Sequence, residues 1–317
     1  MLDIYYDSLT EANWFSNLNQ EFSLTSNNYY IIKRRGGNPS IVEQIVKYDK
    51  PDIIVIKDET PLLVLEITQE VPTGHNVGQR FARLVRAIEL GIPTIYFFPF
   101  DAMKHGEYAG ICNLNIRLLK AAENILKIHC TPLLCINWQT DINGEIITNG
   151  TEDETIKAIL ASYVSSGYNK KCEGFIDQLN YMKDEYILRL SKRPSYKTLP
   201  NSVPKMKTTE FINKFNIEIS DNSFVNREFT YVYIIKMTPA KCRREDPYTG
   251  TIFVYDYMCC RIGPDVKNKK SNIVFYFPRI EKNVWEQKNP NDLARKSSNW
   301  YLTANMIIFK DGYSFLR

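Results

Sequence analysis

The stretch that most constrains this chain is Pro51-Asp52-Ile53-Ile54-Val55-Ile56-Lys57-Asp58-Glu59-Thr60-Pro61-Leu62-Leu63-Val64-Leu65-Glu66-Ile67-Thr68-Gln69-Glu70. Two short apolar, β-branched runs flank a polar break that contains a proline, the pattern of a β-hairpin. Folding the ribbon at Asp58–Pro61 lays the start of the first strand beside the end of the second, so Asp52 faces the neighbourhood of Glu66 to Thr68. Side chains alternate along a strand, which puts Val64, Glu66 and Thr68 on one face and Leu63, Leu65 and Ile67 on the other. Two carboxylates at the end of an apolar hairpin must be solvated, paired or bound to a cation, because burying them bare is too costly. A hard cation such as Mg2+ binds through one or two carboxylates and keeps its other places for water and phosphate oxygen.

The flanking segments are regular. Ser40 is placed to cap a helix running to about Tyr48, with Glu43 at the capping-box position. Glu43 either closes that box or turns inward as an accessory acid. Val71–Asn76 is rich in breakers. Val77, Phe81, Leu84, Val85 and Ile88 then repeat at helical spacing, Gly91 stops the helix, and Ile92–Pro99 reads as a buried strand.

Pro51-Asp52, a hairpin, then Glu66-x-Thr68, set in the order helix, hairpin, helix, strand, resembles the PD-(D/E)XK nuclease superfamily, the fold of most type II restriction endonucleases. The similarity covers roughly residues 40 to 100. It implies an α/β (α+β) restriction-endonuclease-like core, a mixed central sheet flanked by helices, and a metal held by Asp52, Glu66 and the Ile67 carbonyl. The implied cofactor is Mg2+, with Mn2+ as a substitute. The implied activity is hydrolysis of phosphodiesters in double-stranded DNA at a specific sequence, as in restriction-modification, by a homodimer that presents two active sites.

One position departs from the family pattern. Its lysine is replaced by Thr68, which can donate a hydrogen bond but carries no charge. Gln79, Arg80 and Arg83, near the start of the following helix, are the nearest source of a replacement, whereas Lys57 lies roughly 16 Å along the strand from Asp52. The stripe Arg80, Arg83, Arg86 also fits an ordinary solvated helix face. Glu70 is a second accessory acid. Two rival readings remain: a catalytically inactive nuclease fold that binds DNA, and a nuclease acting on single strands or RNA.

The 317 residues allow one large domain or two of ordinary size. The pattern divides them into a catalytic domain (1–190), a basic, proline-containing linker or DNA-following arm (191–207), and a β-rich recognition domain (208–317). Net charge is only +4, so a nucleic-acid site has to come from local clusters. The candidates are Arg34 and Arg35 beside Gly36-Gly37, and Arg243, Arg244, Lys269 and Lys270 in loops between aromatic strands. Each cluster reads equally as solvated loop.

Further exclusions follow from the residue inventory. Seven cysteines without a CxxC pair argue for reduced thiols and against a zinc ribbon, and His75, His105 and His129 are scattered. There is no GxSxG, P-loop or HExxH motif. No apolar run reaches membrane-span length and no signal peptide is evident, so a cytoplasmic protein is expected.

Overall fold

The computed structural model describes residues 1–33, 36–71, 74–106, 109–112, 114–147, 150, 153–197, 204–219, 222–236, 238–242, 271–287 and 300–316. The chain begins with β1 (Asp3–Tyr6), α1 (Leu9–Ser16), β2 (Asn28–Ile31) and α2 (Ser40–Ile45). The hairpin β3 (Ile53–Lys57) and β4 (Thr60–Ile67) follows, then α3 (Gly74–Glu89) and β5 (Thr94–Phe98). A small ribbon, β6 (Met103–Lys104) and β7 (Gly110–Ile111), precedes α4 (Leu114–His129), β8 (Leu133–Asn137), α5 (Asp153–Ser165) and α6 (Glu173–Lys192).

These strands form a six-stranded sheet in the order β2-β1-β3-β4-β5-β8. It is mixed: β3 is antiparallel to both β1 and β4, while β4, β5 and β8 run parallel. Helices cover both faces. On one, Val55, Leu63, Leu65, Ile95 and Phe97 pack with Phe15 of α1 and Ile159, Leu160 and Tyr163 of α5. On the other, Ile54, Ile56 and Val64 meet Val42 and Ile45 of α2, and Tyr96 and Phe98 meet Phe81, Leu84 and Val85 of α3. The alternation expected within β4 therefore holds.

Three local differences have physical causes. The chain reverses within two residues, Asp58 (φ 47°) and Glu59 (φ 61°), with Lys57 paired to Thr60. Two successive left-handed residues make the turn whose twist matches a hairpin, so the reversal is tighter than Asp58–Pro61. Pro61 instead lies in β4 opposite Ile56, beside a register shift at Val55/Ile56, where a missing N–H is tolerated.

The α2 cap also differs. Ser40 is the first helical residue and Pro39 the cap, so Ser40 does not cap the helix. Glu43 Oε1 accepts from the Asn38 backbone N–H and side-chain amide, both at 3.0 Å, which closes the basic loop. Finally, sequence pattern does not single out Asp3–Tyr6, yet β1 lies inside the sheet between β2 and β3. Its polar first residue and four-residue length hide it.

The C-terminal part contains β9 (Lys205–Lys207), α7 (Thr208–Phe215), α8 (Asn222–Val225), β10 (Phe229–Ile234), β11 (Ser271–Tyr276), α9 (Lys282–Gln287), β12 (Met306–Ile308) and β13 (Tyr313–Phe315). Its five strands run in the order β13-β12-β11-β10-β9, with β10, β11 and β12 parallel, and it carries helices as well as the expected strands. One face packs on Phe211 and Phe224, from α7 and α8. From the other, Tyr231, Tyr233, Ile273, Phe275 and Ile307 join the same hydrophobic cluster as α3 and α4, so the two sheets share a core. Among the described residues, no helix is long and apolar enough to cross a membrane. Thr251–Tyr257, whose β-branched and aromatic sequence also reads as a strand, lies outside them.

Candidate active site

Asp52 immediately precedes β3, and Glu66 is the penultimate residue of β4. The hairpin register, with Ile53 opposite Leu65, brings them together at the end remote from the turn. Asp52 is pinned through its backbone and side chain: its carbonyl accepts from Asp7 N at 2.9 Å and its Oδ2 from Ile67 N at 2.6 Å. Asp52 is 4% exposed and Glu66 0%.

Two arginines from α3 reach this pair. Arg83 Nη1 donates to Glu66 Oε1 at 2.8 Å and Arg80 Nη1 donates to the same oxygen at 3.1 Å. Each guanidinium has a second anchor. Arg83 Nε donates to Asp49 Oδ2 at 3.0 Å, and Arg80 Nη2 donates to Glu70 Oε2 at 2.9 Å. Arg83 Nη1 also lies 4.0 Å from Asp52 Oδ1. Glu66 Oε2 is buried without a hydrogen-bond partner.

The helix explains why only two of the three stripe arginines converge here. Each step of three residues rotates about 60° short of a full turn. Arg86 has therefore moved round α3, where Nε donates to the Gln44 carbonyl at 3.1 Å and Nη1 to Glu89 at 3.3 Å. It ties α3 to α2 and does not join the site.

The electrostatics follow from burial and charge count. Among the described residues, four carboxylates, Asp49, Asp52, Glu66 and Glu70, gather round two guanidiniums, Arg80 and Arg83. Loss of hydration, then the charge of Glu66, raises the Asp52 carboxyl well above its ordinary range; the Ile67 N–H and Arg83 oppose this only in part. Glu66 is raised chiefly by burial, with Arg83 and Arg80 pulling it back. Tyr96, opposite Glu66 on β5, is completely enclosed and its phenol is likewise raised by burial.

The remaining candidates divide clearly. Thr68 is buried, and its Oγ1 accepts from Glu70 N at 3.1 Å, shaping the turn after β4. Glu70 faces Arg80, and Glu43 is engaged by Asn38, not brought to the pair by any contact. Lys57 sits over the Tyr168 ring, 5.4 Å from its centroid, at the other end of the hairpin. His105 bonds Glu145 at an exposed position. Gln79 lies on α3 with its side chain outside the described set, and Arg34, Arg35, Arg243, Arg244, Lys269 and Lys270 lie outside it altogether.

Sequence reasoning passed over Asp49 and Tyr96. Asp49 had one usable signal, its place three residues before Asp52 in the same short connection. Tyr96 was visible only as part of a buried strand.

No family model, curated protein or solved structure compared with the chain matches it. Among the described residues, no cluster of three or more acid, histidine or cysteine side chains has metal-site geometry. The carboxylate pair, backbone and water could hold a metal. That donor set suits an oxygen-seeking divalent ion, and the partnerless Glu66 Oε2 fits one.

Proposed function

We propose that this protein is a Mg2+-dependent endodeoxyribonuclease of the PD-(D/E)XK kind, resembling type II restriction enzymes, with Mn2+ as a substitute metal. The observation that carries the reading is a fully buried carboxylate, Glu66, with one oxygen unpartnered beside a second buried carboxylate, Asp52. A structural ion pair has no need of an empty buried acceptor, which normally costs stability. The α2-β3-β4-α3-β5 order around the pair supports the same family.

Asp52, Glu66 and the Ile67 carbonyl would hold the ion. When bound, Mg2+ polarises a phosphoryl oxygen and lowers the pKa of its water. The chain's own contribution is orientation and charge. The Ile67 N–H fixes Asp52, and β4 fixes Glu66. Arg80 and Arg83 bring two positive charges to Glu66, where they would stand in for the family's lysine. Thr68, with Oγ1 turned to Glu70 N, acts by shaping the backbone after β4. Cutting both strands of double-stranded DNA would need two such sites, which a homodimer supplies.

A second reading has its own observation. Arg80 and Arg83 both neutralise Glu66 Oε1, as they would in an inactive nuclease fold retained for DNA binding. The test is to incubate long mixed-sequence DNA with the protein and Mg2+ or Mn2+ and to sequence the ends. Recurrent cut sites, lost in Asp52→Asn and in Glu66→Gln, are expected. DNA that is bound but uncut with either metal would establish the inactive reading. Cleavage of RNA or single strands alone would move the substrate class.

A further inference from the structure

We propose that Arg80 and Arg83 form a phosphate clamp held in reserve on Glu66, so that a divalent cation and a nucleic-acid phosphodiester bind cooperatively. This rests on the nuclease reading above and adds a linkage to it.

The argument starts from which nitrogens are used. Both arginines reach Glu66 only through Nη1, and both use the same oxygen, Oε1. Their other contacts use different atoms on different partners: Nε of Arg83 on Asp49, and Nη2 of Arg80 on Glu70. The Glu66 contacts can therefore be released while each guanidinium stays seated. What release frees is two Nη1 donors, side by side on one face of α3. Arginine is suited to phosphate oxygen because its planar fork presents several donors without losing charge.

The charge balance sets the direction of the coupling. Among the described residues the arginines are the only positive charges within ion-pair distance of the buried carboxylates, and without a cation Glu66 retains them. A divalent cation at Asp52 and Glu66 would replace that counter-charge and leave the paired guanidiniums in need of an anion. A phosphodiester answers that need. Conversely, phosphate drawing Nη1 away from Oε1 exposes the carboxylates to a cation. Each ligand removes an obstacle to the other, and linkage requires the two effects to be equal. Asp49 and Glu70 are positioning residues in this scheme, holding the guanidiniums during the exchange.

The test is calorimetric titration of the whole protein with Ca2+ at alkaline pH, with and without short mixed-sequence duplex DNA. Cleavage is not the readout. Wild type should bind Ca2+ about tenfold more tightly with DNA, and DNA about tenfold more tightly with Ca2+. Arg80→Gln should tighten Ca2+ binding in the absence of DNA and shrink the DNA-linked gain towards unity. Glu70→Gln changes an exposed residue, so it keeps the fold, and should shrink the gain by loosening Arg80. Unchanged linkage in both variants, or weaker DNA-free Ca2+ binding in Arg80→Gln, would overturn the clamp while leaving the metal site standing. A wild-type protein that binds neither Ca2+ nor Mn2+ would instead overturn the nuclease reading, and the clamp with it.

Discussion

Asn272 on β11 is completely buried, yet it is hydrogen-bonded at both ends: Oδ1 accepts from Arg227 at 3.0 Å and Nδ2 donates to the Phe224 carbonyl at 2.9 Å. Nearby, Thr208 and Thr230 share a hydrogen bond at 3.1 Å, and Asn305 accepts from Ile273 N at 2.9 Å. Glu66 on β4 is buried as deeply, but it is charged, doubly engaged at one oxygen and unpartnered at the other. The second sheet buries neutral groups most of which complete one another, the usual way a core accommodates polarity, although Ser271 Oγ has no partner among the described residues. The first buries two carboxylates side by side, one of them with an oxygen left unpartnered. Charge, more than depth of burial, marks the candidate site, since Asn272 and Glu66 are equally buried.

The sharpest way to break the comparison is truncation on each side. Glu66→Ala leaves two partly buried arginines without their common acceptor and should lower unfolding stability by about 3–5 kcal/mol in denaturant melts. Asn272→Ala leaves a neutral carbonyl and one arginine donor to find water, and should cost about 1–3 kcal/mol in the same assay. If the two losses are equal, the charged cluster behaves as ordinary core and the contrast is lost.

A subtler difference is expected at Asp52. Its carboxyl is raised in the folded state, so folding favours the protonated form. The stability it contributes is complete below about pH 4, near the unfolded value, and is lost as pH rises through the raised folded value. Asp52→Asn keeps an acceptor for Ile67 N and removes that loss. At neutral pH it should raise the melting temperature by about 2–4 °C, and near pH 3 the gain should vanish. A gain that persists in acid would mean that packing, not charge, is responsible. The smallest effect concerns the turn. Glu59→Gly relieves a left-handed side chain but gives the unfolded chain more freedom, for a net change within about 1 kcal/mol.

Much of the first sheet was written in local pattern. Alternation along Leu63–Ile67 put Glu66 opposite the apolar face, and the hairpin brought Asp52 to it. The spacing of Phe81, Leu84, Val85 and Ile88 set α3 so that Arg80 and Arg83 reach back. Asp49 was not legible, because an irregular connection has no periodicity to say where its side chain points. Arg86 looked equivalent to its two neighbours until helical rotation carried it away. In the second half a β-rich region was readable, but the parallel pairing of β10 with β11 was not. Parallel partners are chosen by crossover connections, which leave little trace in the strands themselves.

The two-residue turn at Asp58–Glu59 has a consequence for how the molecule comes to exist. Every charged side chain of the candidate site lies between Asp49 and Arg83, and the turn closes the loop that joins the two carboxylates. Short loops close fast, and a hairpin of this kind forms in roughly 1–10 μs, well before distant strands can find one another. The chemistry-bearing hairpin is thus among the earliest segments able to organise, while the second sheet waits on crossover pairings of far greater separation than a two-residue turn. A chain emerging during synthesis would carry its carboxylate pair complete before the residues that build β10 to β13 had been made.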